Sequence, residues 1–173
     1  MTKVISLISS IAAISLLSAA SVSAADFATA PGTYKASGLL ELFQTIPDVA
    51  CQVDMDIVVD AAGNAEARNV VFSPGHPLCG TLIRPLTTTW PISKISKGVD
   101  EGDISLNVNV QAGAGTCVGT LSSTLTLYWG TKGPNAIATN PTATVAGSPS
   151  VCTVTGVLDI TPSGGTVGEF RMQ

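Results

Sequence analysis

Three features of the sequence predict an all-β fold, an antiparallel β-sandwich or flattened barrel with two disulfides. Beyond residue 24, apolar and polar residues alternate with a period of two, and no window carries apolar residues at helical spacing. Val, Ile and Thr, whose branched Cβ suits extended backbone, fill those runs. Clusters of Gly, Pro, Asn and Asp break them about every 8 to 12 residues, the rhythm of an all-β chain.

The chain opens with Lys3, an apolar run over residues 4–17 and small residues up to Ala24. This is the pattern of a secretory signal peptide cleaved after Ala24, since the run falls short of the roughly 20 residues that a membrane span needs. With the leader set aside, residues 25–173 have the size of one domain, and no linker divides them. Residues 33–43 read as a first strand, with Gly38 at a bulge or close approach. Over residues 50–60 the alternation is cleanest: Cys51, Val53, Met55, Ile57 and Val59 share one face, and Gln52, Asp54 and Asp56 the other. Residues 61–64 make a hairpin turn, and 65–72 run back.

The stretch 72–92 gathers the single histidine, His76, with Cys79, Trp90 and four prolines, Pro74, Pro77, Pro85 and Pro91. Proline donates no ladder hydrogen bond, so this stretch is expected to be a corner, with short strands over 78–84 and 87–95. A polar loop over 97–103 leads to a strand over 103–111, in which Ile104, Leu106, Val108 and Val110 face one way. Residues 112–115 break the pattern. Strands are expected again over 116–129, 136–145 and 151–160, with turns at 131–134 and 147–149 and a final edge strand over 167–172. About nine or ten strands of this kind form a sandwich or a flattened barrel with open edges.

Four cysteines in an exported chain read as two disulfides, because thiols oxidise outside the cytosol. Three connectivities are possible. Cys51 with Cys79 and Cys117 with Cys152 is favoured, since each pair flanks a segment that reads as a strand hairpin. Each bridge would close a loop of about 30 residues, worth roughly 3 to 4 kcal/mol. A zinc site is disfavoured, because the cysteines are far apart, lack a Cys-x-x-Cys pair and have one histidine to join them.

Charge narrows the partners. The chain carries a formal net charge of −4, and its charged residues amount to 12%. The basic residues beyond Lys3 are scattered, without the patch or aromatic platforms that nucleic acid requires. A surface of neutral hydroxyls and small apolar groups is weakly solvated, which suits self-association or contact with an interface.

Several residues invite a chemical role, and each has a plainer one. His76 is the only imidazole that could activate a serine, but it sits in a turn and no Gly-x-Ser-x-Gly occurs. Asp54 and Asp56, two apart on a strand, would project about 7 Å apart, within the range of glycosidase pairs; any such spacing on a solvated face does the same. Asp100, Glu101 and Asp103 offer oxygen ligands for calcium without the alternating spacing of a dedicated loop. Trp90 reads as a core ring beside the Cys79 bridge, with contact to a ligand as the sharper alternative, shared with His76. No catalytic residue, metal or cofactor is expected.

Larger motifs carry a family resemblance. FSPGHPLCG, TTTWPI, GAGTCVGTLSSTLTL and SPSVCTVTGVLDITP resemble the exported PraB-type proteins described as activators of alkane oxidation. The matching positions are Cys51, Gly75, Cys79, Gly80, Trp90, Ile92, Cys117, Gly119, Cys152, Gly156 and Pro162, over nearly all of the chain beyond the leader. The order Trp90-Pro91 departs from the family's Pro-Trp. These motifs are structural, so the resemblance transfers no catalytic residue. It implies a secreted or cell-surface, non-enzymatic protein that assists growth on alkanes, with a hydrophobic substrate or the cell surface as partner. The competing class is a subunit of an extracellular fibre or biofilm matrix, assembled through open sheet edges.

Overall fold

The computed structural model describes residues 26–27, 31–44, 49–73 and 76–173. The expected leader, residues 1–24, and part of the Pro-rich corner, residues 74–75, lie outside the described residues. The alternation that predicts strands also decides how they pair. β1 (Gly32–Phe43), β2 (Val49–Val59) and β3 (Ala65–Ser73) form an antiparallel meander. In β2, Cys51, Val53, Met55, Ile57 and Val59 are all buried, as the period-two pattern requires, and the residues between them are only partly covered.

The meander continues around a cylinder. A short strand, β4 (Ile83–Pro85), precedes β5 (Thr89–Lys94), which pairs with β3 and then with β6 (Glu101–Ala112). β6 pairs along its length with β7 (Gly115–Tyr128), and β7 with β8 (Ala136–Thr139). After β9 (Ala143–Val145) and β10 (Gly147–Ser148), the chain enters β11 (Cys152–Ser163), which pairs with β8 and runs antiparallel to β1 from Thr33↔Ser163 to Phe43↔Thr153. Eight strands, β1, β2, β3, β5, β6, β7, β8 and β11, thus close into an up-and-down antiparallel barrel. Of the two expected architectures the barrel is the one found, and the expectation of open edges is corrected. The last main strand has the first as its neighbour.

Gly38 and Gly156 permit that closure. A Cβ on Gly38 would lie 2.1 Å from the Val157 carbonyl oxygen, and one on Gly156, at φ 145°, would lie 2.4 Å from that of Leu39. Neither position has room for a side chain.

The other departures from the sequence reading have local causes. Residues 78–82 are turns rather than strand, because the amides of Leu82 and Ile83 both donate to the Leu78 carbonyl, at 2.9 and 3.0 Å, while Gly80 donates to Ile83. The expected strand 136–145 is two strands, since Pro141 has no amide hydrogen to continue the ladder. Residues 101–102, expected in a loop, begin β6 opposite Tyr128 and Leu127, and residues 147–148, expected in a turn, pair with Cys117 and Thr116. The tail reaches the body through a bridge between Phe27 and Met172 rather than as a strand over 167–172.

The two ends of the barrel are built differently. At the end where β1 and β3 finish and β2, β7 and β11 begin, both disulfides form, Cys51–Cys79 and Cys117–Cys152, with the favoured connectivity. Gln44 joins them there: its Nε2 donates to the carbonyls of Ser148 and Ser150, at 2.9 and 3.0 Å, and more weakly to Thr116. The opposite end is stoppered by the lead and tail. Phe27 stacks on Phe170 at 5.0 Å between centroids, and Phe170 packs against Tyr34. Asn135 fixes the tail by accepting from Phe170 N at 3.0 Å and donating to Phe170 O at 2.7 Å.

Two stability measurements check this assembly. Gly38→Ala is expected to cost about 2 kcal/mol or more in urea unfolding, because the backbone of β11 has to move. Replacing Cys51 and Cys79 together by Ser should cost about 3 to 4 kcal/mol, the entropy of reopening a 28-residue loop.

Candidate functional site

A closed barrel sends every second side chain inward, so the composition of those positions decides what the interior holds. Here they are Leu40 and Leu42 from β1, Val53 and Met55 from β2, Phe72 from β3, Trp90 and Ile92 from β5, and the alternating Ile104, Leu106, Val108 and Val110 of β6. β7, β8 and β11 add Leu121, Leu125, Ile137, Val154 and Leu158. These side chains leave a cavity of about 70 Å³ whose lining runs from the disulfide end past the middle of the barrel, to Ile92, Ile104 and Ile137. The sulfur-bearing Cys51 and Cys117 form part of its wall.

The wall offers water almost nothing. Among the described residues Thr139 supplies its hydroxyl, and that hydroxyl is already engaged: it accepts from Gly156 N at 2.9 Å and lies within donating distance of the Gly156 and Pro141 carbonyls. A cavity without free polar partners stays dry or takes an apolar guest. Its volume is under half of the roughly 150 Å³ that accommodates benzene in an engineered apolar cavity. The space therefore suits the end of a slender chain, not a whole long-chain molecule.

An opening can be located from exposure. Leu40, Leu42, Phe72 and Val154 point inward yet are only partly buried, whereas Val53, Ile83 and Ile104 are at 0% exposure. All four belong to the disulfide-bearing half. Trp90 pairs with Ala67, further along β3 from the rim than Phe72: it is buried, and the two ring centroids stand 6.4 Å apart. At the other end, among the described residues, the fully buried Phe27, Tyr34 and Phe170 fill the corresponding space.

The residues singled out in the sequence separate accordingly. Trp90 lines the cavity. His76 does not; it is exposed on the loop after β3, where its Nδ1 accepts from Leu78 N at 3.3 Å. Asp54 and Asp56 are on the outer face of β2, each with its own partner: Ser37 Oγ donates to Asp54 at 2.6 Å, and Asn69 Nδ2 to Asp56 at 2.9 Å. Asp100, Glu101 and Asp103 bond in three directions, to Thr131, to Lys132 at 3.2 Å and to Ser96 at 2.7 Å. Among the described residues no group of three or more His, Cys, Asp or Glu is placed to hold a metal. Sequence reasoning did not single out Leu40, Leu42, Phe72 and Val154. They lie in stretches that read as strands, and nothing in those stretches marks a shared opening.

A family model described as alkane oxidation protein activator, PraA/PraB-like, matches residues 1–166. No curated protein and no solved structure matches the chain.

Electrostatics near the ends of the strands gives a pH test. Hydrogen bonds from Thr131 hold the Asp100 carboxyl below its ordinary 3.8, and those from the side chain and backbone of Asn64 do the same for Asp60 at the β2–β3 turn. A carboxyl whose pKa is lower folded than unfolded stabilises above its unfolded value and loses that contribution as pH falls through the folded one. Thermal stability should therefore be level near neutrality and decline below about pH 4. Asp60→Asn and Asp100→Asn are each expected to flatten that acid limb in a melting series.

Proposed function

We infer that this chain, which belongs to the PraA/PraB-like family of alkane oxidation protein activators, acts as an exported, non-enzymatic accessory protein that shelters the end of an aliphatic chain from water. The observation that carries this reading is the apolar cavity opening at the disulfide-braced end of the barrel. The free energy for such binding is that of removing apolar surface from water, about 0.8 kcal/mol for each methylene taken in.

Other features support export and work in water. Two disulfides fit an oxidising compartment, and the N-terminal run fits a secretory leader. The barrel is apolar inside and carries Lys35, Asp54, Asp56, Asp103 and Asp159 on its outer face, the reverse of a lipid-facing barrel wall. The non-enzymatic reading rests on the separation of His76 and the carboxylates from one another and from the cavity.

A fibre or matrix subunit is the second reading, favoured by apolar residues on the outer face. Leu39 and Val157 face each other between the paired positions Ser37↔Asp159 and Leu40↔Gly156, and both are about half exposed, as are Phe43 and Val151. Closure leaves this reading without a long main-strand edge to extend.

Titration of the full secreted protein with decane, followed by tryptophan fluorescence and melting temperature, tests the first reading. Decane is expected to perturb the fluorescence and raise the melting temperature, and Val154→Phe, which narrows the opening, to weaken both effects about tenfold. Unchanged signals at saturating decane would refute it, and ordered filaments under negative stain would favour the second reading.

A further inference from the structure

The rim at the disulfide end differs from the rest of the outer surface. Phe43 ends β1, Leu82 precedes β4, Val118 follows Cys117 in β7 and Val151 precedes β11, and these four side chains are 44 to 58% exposed. Formal charge is scarce beside them. Within two residues of that end of each strand and in its turns, the described residues carry Glu41 on β1 and Arg84 on β4. The connecting segments outside the described residues add one charge by sequence, Asp48, between β1 and β2. The stoppered end, in contrast, has Asp60, Lys97, Asp100, Glu101, Lys132 and Glu169 around it. An exposed apolar ring with few charges has the composition of the centre of a protein contact.

We propose that this rim docks on the same rim of a second copy of the chain, so that two openings face each other and one aliphatic chain is held by both its ends. This inference rests on the cavity being a chain-end site. Charge selects a second copy as the occupant. Glu41 and Arg84 are exposed, opposite in sign and without an ion-pair partner among the described residues. Around the ring β2 and β3 separate them on one side, and β6, β7 and β11 on the other. A twofold axis that sets β1 of one copy over β4 of the other brings Glu41 to Arg84 twice, which makes the rim self-complementary. A lipid surface fits less well. The rim has no basic cluster for anionic headgroups and no Trp or Tyr for the interfacial layer: Trp90 and Trp129 are buried, and Tyr128 is at the stoppered end.

The guest selects the same arrangement. A cavity of about 70 Å³ admits a terminal segment, and an unbranched alkane has two like ends. Bound to one barrel, its remaining methylenes stay in water; between two rims they are covered, and the far end enters the second cavity. The ring of apolar residues is small, so association without a guest is weak. By linkage a long alkane strengthens the dimer, and the dimer holds that alkane more tightly than the monomer does. Neither Glu41 nor Arg84 lines the cavity, so altering them changes docking and leaves the chain-end site intact.

Sedimentation velocity of the full secreted protein, before and after equilibration with hexadecane, tests the proposal together with the amount of hexadecane bound per chain. Hexadecane is expected to lower the dimer dissociation constant about tenfold or more, with one hexadecane for every two chains. Glu41→Lys and Arg84→Glu should each weaken the dimer about tenfold, and the two together should restore it. Leu82→Glu, which puts a charge on the exposed ring, should leave a monomer. Hexadecane bound by a monomer, one to one, overturns this inference while leaving the chain-end site in place. So does a dimer that hexadecane does not strengthen, or one that the rim variants leave unchanged. A monomer that co-floats with phosphatidylcholine vesicles assigns the rim to a lipid surface and overturns it as well. Failure to bind hexadecane in either form overturns the chain-end site too.

Discussion

The pairing of the first main strand with the last is the constraint on which the rest depends. β1 and β11 are separated by most of the chain, yet their register spans Thr33↔Ser163 to Phe43↔Thr153. Without that seam the meander would be an open sheet with two long edges and one face to cover. With it, every inward residue of eight strands meets the others in a common interior, and the question of what covers the apolar face disappears. The seam also explains the placement of Gly38 and Gly156, which lie where the β1 and β11 backbones leave no room for a Cβ. Long-range closure is entropically expensive, and the disulfides reduce that cost from the unfolded side.

Closure creates two ends, and the sequence treats them differently. One receives aromatic rings from the lead and the tail, Phe27 and Phe170, held by reciprocal hydrogen bonds between Asn135 and the Phe170 backbone. The other receives covalent bridges and the Gln44 side chain, which braces backbone from residues 116 and 148–150 without filling the interior with rings. A bridge fixes the rim while occupying little volume. Aromatic stoppering and covalent bracing are alternative ways to hold a barrel end together, and the second is the one compatible with an opening.

Much of the barrel was legible in the sequence because its signal is local. The alternation of residues 51–59 and 104–110 gave the inward face correctly, and the cysteine pairs flanking hairpin-like segments gave the bridges. Closure was not legible, since it depends on which distant strands find each other, and no residue pattern records that. The loop before Ile83 was misread because its apolar residues, Leu78 and Leu82, suit a strand, whereas Cys79 is drawn to Cys51 and the backbone turns on itself. Trp90 was read as a core ring with ligand contact as the alternative, and it is a buried ring on a cavity wall. The opening was beyond reach for the same reason as closure: Leu40, Phe72 and Val154 come from strands that only the ring makes neighbours.

The Pro-rich corner shows how fold and site share one set of residues. Pro85 and Pro91 keep the chain in short extended pieces, so β5 covers only one end of β3, with Arg68↔Thr89 the last pair. Beyond that point the inner face of β3 carries Phe72 without a paired strand on that side, and Cys79 is fastened instead to β2. β4 takes up that side in place of a longer β5: it pairs with β6 from Ile83↔Ala112 to Pro85↔Val110 and packs against β3, with Ile83 fully buried. The rare residues of this stretch therefore divide one strand's place in the wall between two short strands, and the turn between β3 and β4 carries Cys79 to its bridge.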